Sequence, residues 1–381
     1  MADGLAPTGG MRVAVRLAPA IMARIKRGSD ARSSNPAHGW CRIEAGRDGT
    51  VHATVHNGYY AEIVQIPGNV ALPGAGILSV SELAGAVKAA GKGGAIALGA
   101  DGAAVTVRTG GAAGIEFAAQ SCAVEDWAPR PRVEGGAVYK LSRTDLHAAF
   151  SAVQHAMSCD DTRPHLSAAM LDQDGVECSV IATDGHRLAV ATIASFAPPF
   201  QCLVPAPVVH AAIAMLAAHP SETMVDVIIG KGLDRELRIG GDSIRFSSPD
   251  ASFPTWRQVI PSATETLITF KREHAQAALA SLKAFTPKRN NATAMKFTAE
   301  GRVAHFSTKT DESIVVGANP FPITADHDAT IGVNAKYLTD ALGVCSAPVV
   351  RLRFSGEVDP MLLLDVAPWG TLTVVIMPMH I

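Results

Sequence analysis

The chain has 381 residues, more than one hydrophobic core usually serves, so two or three domains are expected. Hydrophobic residues make up 48 % and charged residues 18 %, which excludes a disordered chain. The net charge of −2 excludes a protein that coats nucleic acid with its whole surface, but not a local basic lining.

The opening MADGLAPTGG lacks the basic and apolar regions of a signal peptide, and residues 1–10 read as a flexible leader. A unit then recurs: a short β-type run, a brief polar or proline break, and an alanine-rich amphipathic helix. Its instances are VAVRLAPAIMARIKR from Val13, ILSVSELAGAVKAAG from Ile77, YKLSRTDLHAAFSAVQHAM from Tyr139, LVPAPVVHAAIAMLAAH from Leu203, ITFKREHAQAALASLKAF from Ile268 and IGVNAKYLTDALGVC from Ile331. Anchored on Val15, Val80, Leu141, Val204, Phe270 and Val333, the steps are 65, 61, 63, 66 and 63 residues, the mark of an internal repeat. Alternating runs with turn residues lie between the helices and predict hairpins over 51–66, 103–119, 178–193, 237–248 and 302–318. Two units bury both helices against sheet as one α+β domain. Three domains follow, at 11–134, 135–262 and 263–381, divided at PRPRVEGG and IPSATET.

No run reaches 18 apolar residues, since VVHAAIAMLAAH is broken by His210 and His219, so no membrane partner is expected. The six cysteines, at 41, 122, 159, 178, 202 and 345, form no C-x-x-C pair and read as reduced core residues of a cytoplasmic protein. The stretch IATDGHRLAV gathers Asp184, His186 and Arg187. Asp184–Gly185 reads as a two-residue turn closing a hairpin. The rival, a hydrolase built on Asp184 and His186, has no nucleophile or metal partner in the sequence, and no G-x-S-x-G, H-E-x-x-H or Walker loop occurs. No catalytic residue, metal or cofactor is expected. The helices are uneven in charge: Arg24, Lys26, Arg27 and Arg32 at the first, Lys88 and Lys92 at the second, Lys271, Arg272 and Lys283 at the fifth with Lys288 and Arg289 beyond, and Lys336 at the sixth, whereas the third and fourth carry histidines rather than lysines. These are either ordinary solvated faces or a surface that meets phosphates without reading bases.

ATDGHRLAV, the C-terminal VVIMPMHI, SFPTWRQVIP (252–261) and IGVNAKYLTDAL together resemble signature segments of the bacterial DNA polymerase III β subunit, the replicative sliding clamp, over about Met11 to Ile381. The resemblance implies the DNA clamp fold: three topologically similar domains, each with two helices on antiparallel sheets, in a head-to-tail homodimer that closes a ring around duplex DNA. It implies a nucleoid-associated processivity factor and no enzyme. Polymerase and clamp-loader subunits would dock through short hydrophobic motifs. The pocket walls it implies are Leu166, Thr183, Gly185, His186, Arg187, Leu188, Pro254, Val259, Asn334, Tyr337, Val358, Val375, Ile376, Met377, Pro378 and Met379. The DNA-facing residues would be Arg24, Lys26, Arg27, Arg32, Lys88, Lys271, Arg272 and Lys336, and the ring interface would use Phe117, Leu282 and Phe285. Gln258, His380 and Ile381 stand where the family usually has arginine, arginine and leucine. Domain one departs further, with VHNGYYAE in place of an acidic run and Ala119 beside Phe117. These departures mark a diverged member, either the main chromosomal clamp or an accessory paralogue with altered partners; a clamp-fold adaptor that is not loaded on DNA is a separate rival, which the ring interface decides.

Overall fold

A computed structural model describes residues 10–110, 114–122, 127, 133–261, 266–285, 294–309 and 315–379. Nine of the ten leader residues, Lys288, Arg289, His380 and Ile381 lie outside them. All six expected helices form: α1 (Pro19–Arg27), α2 (Val80–Ala90), α3 (Arg143–Val153), α4 (Ala206–Ala217), α5 (Arg272–Leu282) and α6 (Ala335–Val344). Five of them start on the residue after a strand ends, the strands being Gly74–Ser79, Ala137–Ser142, Phe200–Pro205, Thr266–Lys271 and Ala329–Asn334. Local chemistry sets these starts. The Ser79 hydroxyl accepts from the Ser81 amide, and Asn334 Oδ1 accepts from the amides of Lys336 and Tyr337, so first-turn donors that the helix cannot satisfy find partners. Proline 19 opens α1, where a missing N–H costs nothing.

The described chain forms two compact units. The first, residues 1–143 and 210–248, holds two sheets. One has five strands in the order Gly68–Leu72, Met11–Val15, Ile96–Asp101, Ala104–Thr109, Glu116–Ala119. The other has eight: Ala137–Ser142, Met224–Ile229, Asp234–Ile239, Asp242–Ser247, Tyr60–Gln65, Val51–His56, Trp40–Ala45, Gly74–Ser79. Period-two alternation drives burial here: Cys41, Ile43 and Ala45 go into the core while Trp40, Arg42 and Glu44 stay partly wet. Met22 and Ile25 of α1 and Leu83 and Ala86 of α2 pack in the same core cluster as Val13, Val15 and Val107. Ser243 to Phe246 pair with Ile63 to Tyr60, so one continuous sheet joins strands on either side of residue 134. Compactness therefore divides the chain differently from its repeats.

The second unit, residues 144–209 and 249–381, is built on a sheet of thirteen strands. Its path runs Phe200–Pro205, Ala168–Gln173, Glu177–Thr183, Arg187–Ala194, Gly370–Ile376, Met361–Ala367, Val349–Phe354, Thr266–Lys271, Phe321–Ala325, Val303–Lys309, Ala294–Glu300, Ala329–Asn334. Val315–Gly317 pairs beside Val303–Lys309. Phe270, Phe297, Phe306 and Phe321 form an aromatic cluster with ring centroids 5.0 to 6.5 Å apart, in tilted, edge and stacked contacts. All five expected hairpins are present. Among the described residues no helix is long and apolar enough to cross a membrane.

Candidate functional site

The two most distinctive sequence segments lie side by side. Arg187 pairs with Ile376 and Leu188 with Val375, so the ATDGHRLAV hairpin and the VVIMPM strand are neighbours in one sheet. The hairpin loop is not the expected two-residue turn. Thr183 pairs with Leu188, which leaves four residues between them, Asp184 to Arg187. Gly185 takes φ +92°, a conformation other residues resist. Asp184 Oδ1 accepts from the amides of His186 and Arg187 at 2.9 and 3.1 Å, and Oδ2 accepts from Arg187 Nε at 3.0 Å. The Thr183 hydroxyl donates to the Arg187 carbonyl at 2.6 Å. The Asp184 carboxylate thus holds the loop and Arg187, and contacts His186 through its backbone.

Beside this loop is an apolar cavity of about 200 Å³, lined by His165, Leu166, Thr183, Gly185, Arg187, Leu188, Pro254, Trp256, Val259, Val375 and Met377. Its floor is core: Leu188, Trp256 and Val375 belong to the cluster built by Met170, Ile181, Val190 and Leu362. Its mouth is exposed apolar surface, with Val259 and Met377 each at least 40 % exposed. Trp256 opens a 3-10 turn (Trp256–Val259), and its outer face carries the Arg257 guanidinium, 4.2 Å from the ring centroid; Arg257 also bonds Asp172 at 2.9 Å.

Nine of the sixteen expected wall residues line this cavity. Ile376 does not, because it is wholly buried on the face of its strand opposite Val375. Asn334 is buried as the cap of α6. Tyr337 lies under the Arg187 guanidinium, whose centre is 4.3 Å from the ring centroid. His186 and Val358 are exposed away from it, and Pro378 and Met379 lie past its edge, where the Met379 amide bonds the Gly332 carbonyl. Sequence reasoning missed His165 and Trp256. Trp256 stands inside the SFPTWRQVIP segment, and its size next to a Pro-x-Trp turn was the available signal; His165 had none.

Arg187 is the best-held cation of this site. Besides Asp184 it donates to Asp340 Oδ2 at 2.8 Å, and its Nη1 lies 3.3 Å from His155 Nδ1. Burial, reinforced by the Arg187 charge, pushes the His155 imidazole down to about 4, so it is neutral at pH 7 and accepts from Arg187. Burial would raise the Asp340 carboxyl, but hydrogen bonds from Lys336 and Arg187 outweigh it and hold the group below its ordinary value.

The basic residues divide. Lys26, Arg27, Arg32, Lys88, Lys271 and Lys336 are exposed. Arg24 is not DNA-facing: it is 4 % exposed, with Nε 2.7 Å from Glu62 and Nη1 2.5 Å from Asp242. Arg272 is half-buried and its guanidinium donates to the Cys345 carbonyl just past α6. Of the expected interface residues, Phe285 is 51 % exposed and Phe117 packs partly against the first unit's core. Leu282 is 2 % exposed, a core residue in helical step with Ala275, Ala278 and Leu279 and so not a surface contact. A larger, polar groove in the first unit, lined by Arg42, Arg238, Arg245, Glu44 and Glu236 among others, is laced by its own ion pairs.

The fold matches that of DNA sliding clamps. The structure superposes on a Pseudomonas aeruginosa DnaN sliding clamp (DNA polymerase III subunit beta) bound to griselimycin with a TM-score of 0.87, 18 % identity and coverage of 98 % of this chain and 100 % of that one. For the C. crescentus beta sliding clamp the TM-score is 0.86 at 19 % identity, covering 98 % and 100 %. In sequence, a beta sliding clamp of Proteus mirabilis is 26 % identical over 269 residues, 68 % of each chain. Residues 140–255 match the family model of the DNA polymerase III beta subunit central domain, and residues 257–380 that of its C-terminal domain. The chain belongs to the DNA polymerase III beta subunit family: it is a sliding clamp, a replication processivity factor and not an enzyme.

Proposed function

We propose that this clamp acts as a homodimeric ring of six pseudo-equivalent domains, three per chain at 11–134, 135–262 and 263–381, closed around duplex DNA. Three similar domains complete a six-fold ring when two chains combine. The exposed Lys26, Arg27, Arg32, Lys88, Lys271 and Lys336 support a lining that meets phosphates and reads no bases, which sliding requires. Exposed Phe285 and half-buried Phe117 support a head-to-tail contact between the first domain of one chain and the third of the other.

The cavity beside Leu188 and Met377 is the partner site in this reading, and it is the observation that carries it. Its roughly 200 Å³ holds one or two apolar side chains of a short linear motif. A polymerase or clamp-loader subunit bearing a glutamine followed by leucine and phenylalanine would bind with affinity on the order of micromolar. The clamp works in the cytoplasm on the nucleoid. Its departures from the family, Gln258 at the edge of the pocket segment above all, fit an accessory clamp with altered partners as well as a main one.

The test is retention on a nicked circular plasmid against the same plasmid linearised, after loading by a matching clamp loader. A ring stays on the circle at salt that abolishes direct binding and leaves the linear form. Equal loss from both refutes the ring. A chain that sediments as a monomer at tens of micromolar does the same. Unchanged peptide binding in Leu188→Ala plus Met377→Ala moves the partner site elsewhere.

A further inference from the structure

The pocket wall and the basic face of α6 share one oxygen atom. Asp340 Oδ2 accepts from Lys336 Nζ at 2.5 Å and from Arg187 Nη1 at 2.8 Å. Lys336 lies one helical turn earlier on α6 with its side chain 61 % exposed, while the Arg187 side chain is 7 % exposed and lines the cavity. One carboxylate therefore stands between a solvated lysine of the proposed DNA face and a buried cation of the proposed partner site. The other holds on Arg187, from Asp184, His155 and the ring of Tyr337, involve no exposed charge.

We propose that Asp340 is a positioning residue for the pocket, and that a phosphate drawing Lys336 away tightens its hold on Arg187 and so strengthens peptide binding. The inference rests on the readings of the pocket and of the DNA face above. Two cations compete for one oxygen. When a backbone phosphate of duplex DNA takes the ammonium, the charge that partly neutralises Asp340 leaves. Its attraction for the guanidinium then rises in a partly screened site. A better-held Arg187 samples fewer conformers, so less ordering remains to be done when a peptide docks. By linkage the effect runs both ways: a bound peptide strengthens the DNA contact at Lys336 by the same factor.

Anisotropy of a labelled peptide with the glutamine–leucine–phenylalanine pattern tests this on the full chain. Lys336→Met should tighten binding about two- to fivefold, the range an exposed ion pair supports, and Asp340→Asn should weaken it by at least as much. In the Asp340→Asn background Lys336→Met should do nothing, and Asp340→Glu should restore the wild-type response. A short linear duplex at low salt should tighten binding to the wild type as Lys336→Met does, and both effects should vanish at about 1 M salt, which a packing defect would not notice. Wild-type affinity in both single variants overturns this inference and leaves the pocket standing. A gain from Lys336→Met that survives in Asp340→Asn removes Asp340 from the role. A wild-type chain that binds no peptide overturns the pocket reading and this inference with it.

Discussion

Arg24→Ala removes a guanidinium that bonds two buried carboxylates of the first unit. Asp242 survives the loss, since it keeps His219 Nε2 at 2.8 Å and the Gln65 amide at 2.6 Å. Glu62 does not: it is 0 % exposed, and Arg24 is its side chain's hydrogen-bond donor among the described residues near its Oε1, with Oε2 already unpartnered. Leaving one charge of a buried pair uncompensated costs about 3–5 kcal/mol. For a unit of this size that lowers Tm by about 6–20 °C. The dependence on pH identifies the cause. Burial holds the Glu62 carboxyl above its ordinary value even against the charge of Arg24. Without Arg24 it rises further. An acid whose folded pKa is raised binds more protons folded than unfolded, so its penalty is full at high pH and fades as pH falls. Urea unfolding followed by far-UV circular dichroism should show the deficit of Arg24→Ala shrinking from about pH 8 to about pH 5, and Glu62→Gln added to it should recover stability. A loss below about 1 kcal/mol that ignores pH would refute the reasoning.

His155 titrates the other way. Its folded value of about 4 lies below its ordinary 6.5, so the folded chain resists a proton the unfolded chain takes; stability should fall as pH drops through that window, and His155→Gln should flatten this limb. Trp256→Phe should keep the fold yet abolish any change of tryptophan fluorescence on adding peptide, because Trp256 is the tryptophan that lines the cavity. Gly185→Val forces a β-branched residue to φ +92° and should cost about 1–3 kcal/mol and weaken peptide binding; a stable, fully binding variant would mean the loop does not shape the pocket. Burial pushes the thiols of Cys41, Cys178 and Cys345 up to about 12, whereas Cys159 is exposed, so a thiol reagent should label Cys159 first; simultaneous labelling of all four would contradict the packing described.

The strand-into-helix units were legible because the apolar period switches from two to about 3.6 at each start, and Ser79 and Asn334 mark two of those starts as caps. The Asp184–Gly185 signal located the hairpin loop but not its length, which depends on Asp184 and Thr183 bonding backbone groups of the loop itself. Charge alone misassigned Arg24. Its partners stand 38 and 218 residues away, and only the folded sheet brings Glu62 and Asp242 to it. Leu282 was misassigned for a simpler reason: the helical step from Ala275, Ala278 and Leu279 already placed it on the buried stripe. The joining of strands across residue 134 was invisible, because pairing between Tyr60–Gln65 and Asp242–Ser247 leaves no local mark in either segment.

The joints between strand and helix have no slack. At five of them the last residue of a strand is followed at once by the first residue of a helix, so the strand's register fixes the azimuth of everything on that helix. One inserted residue would turn the helix by about 100° about its axis. At the joint after Ser79 that rotation would swing Leu83 and Ala86 out of the core and carry Lys88 away from the surface it now occupies. Chain length in this molecule is therefore locked at the joints, and the placing of every basic side chain on α2, α5 and α6 is inherited from the sheet, like the thread of a screw from the hole it was cut to fit.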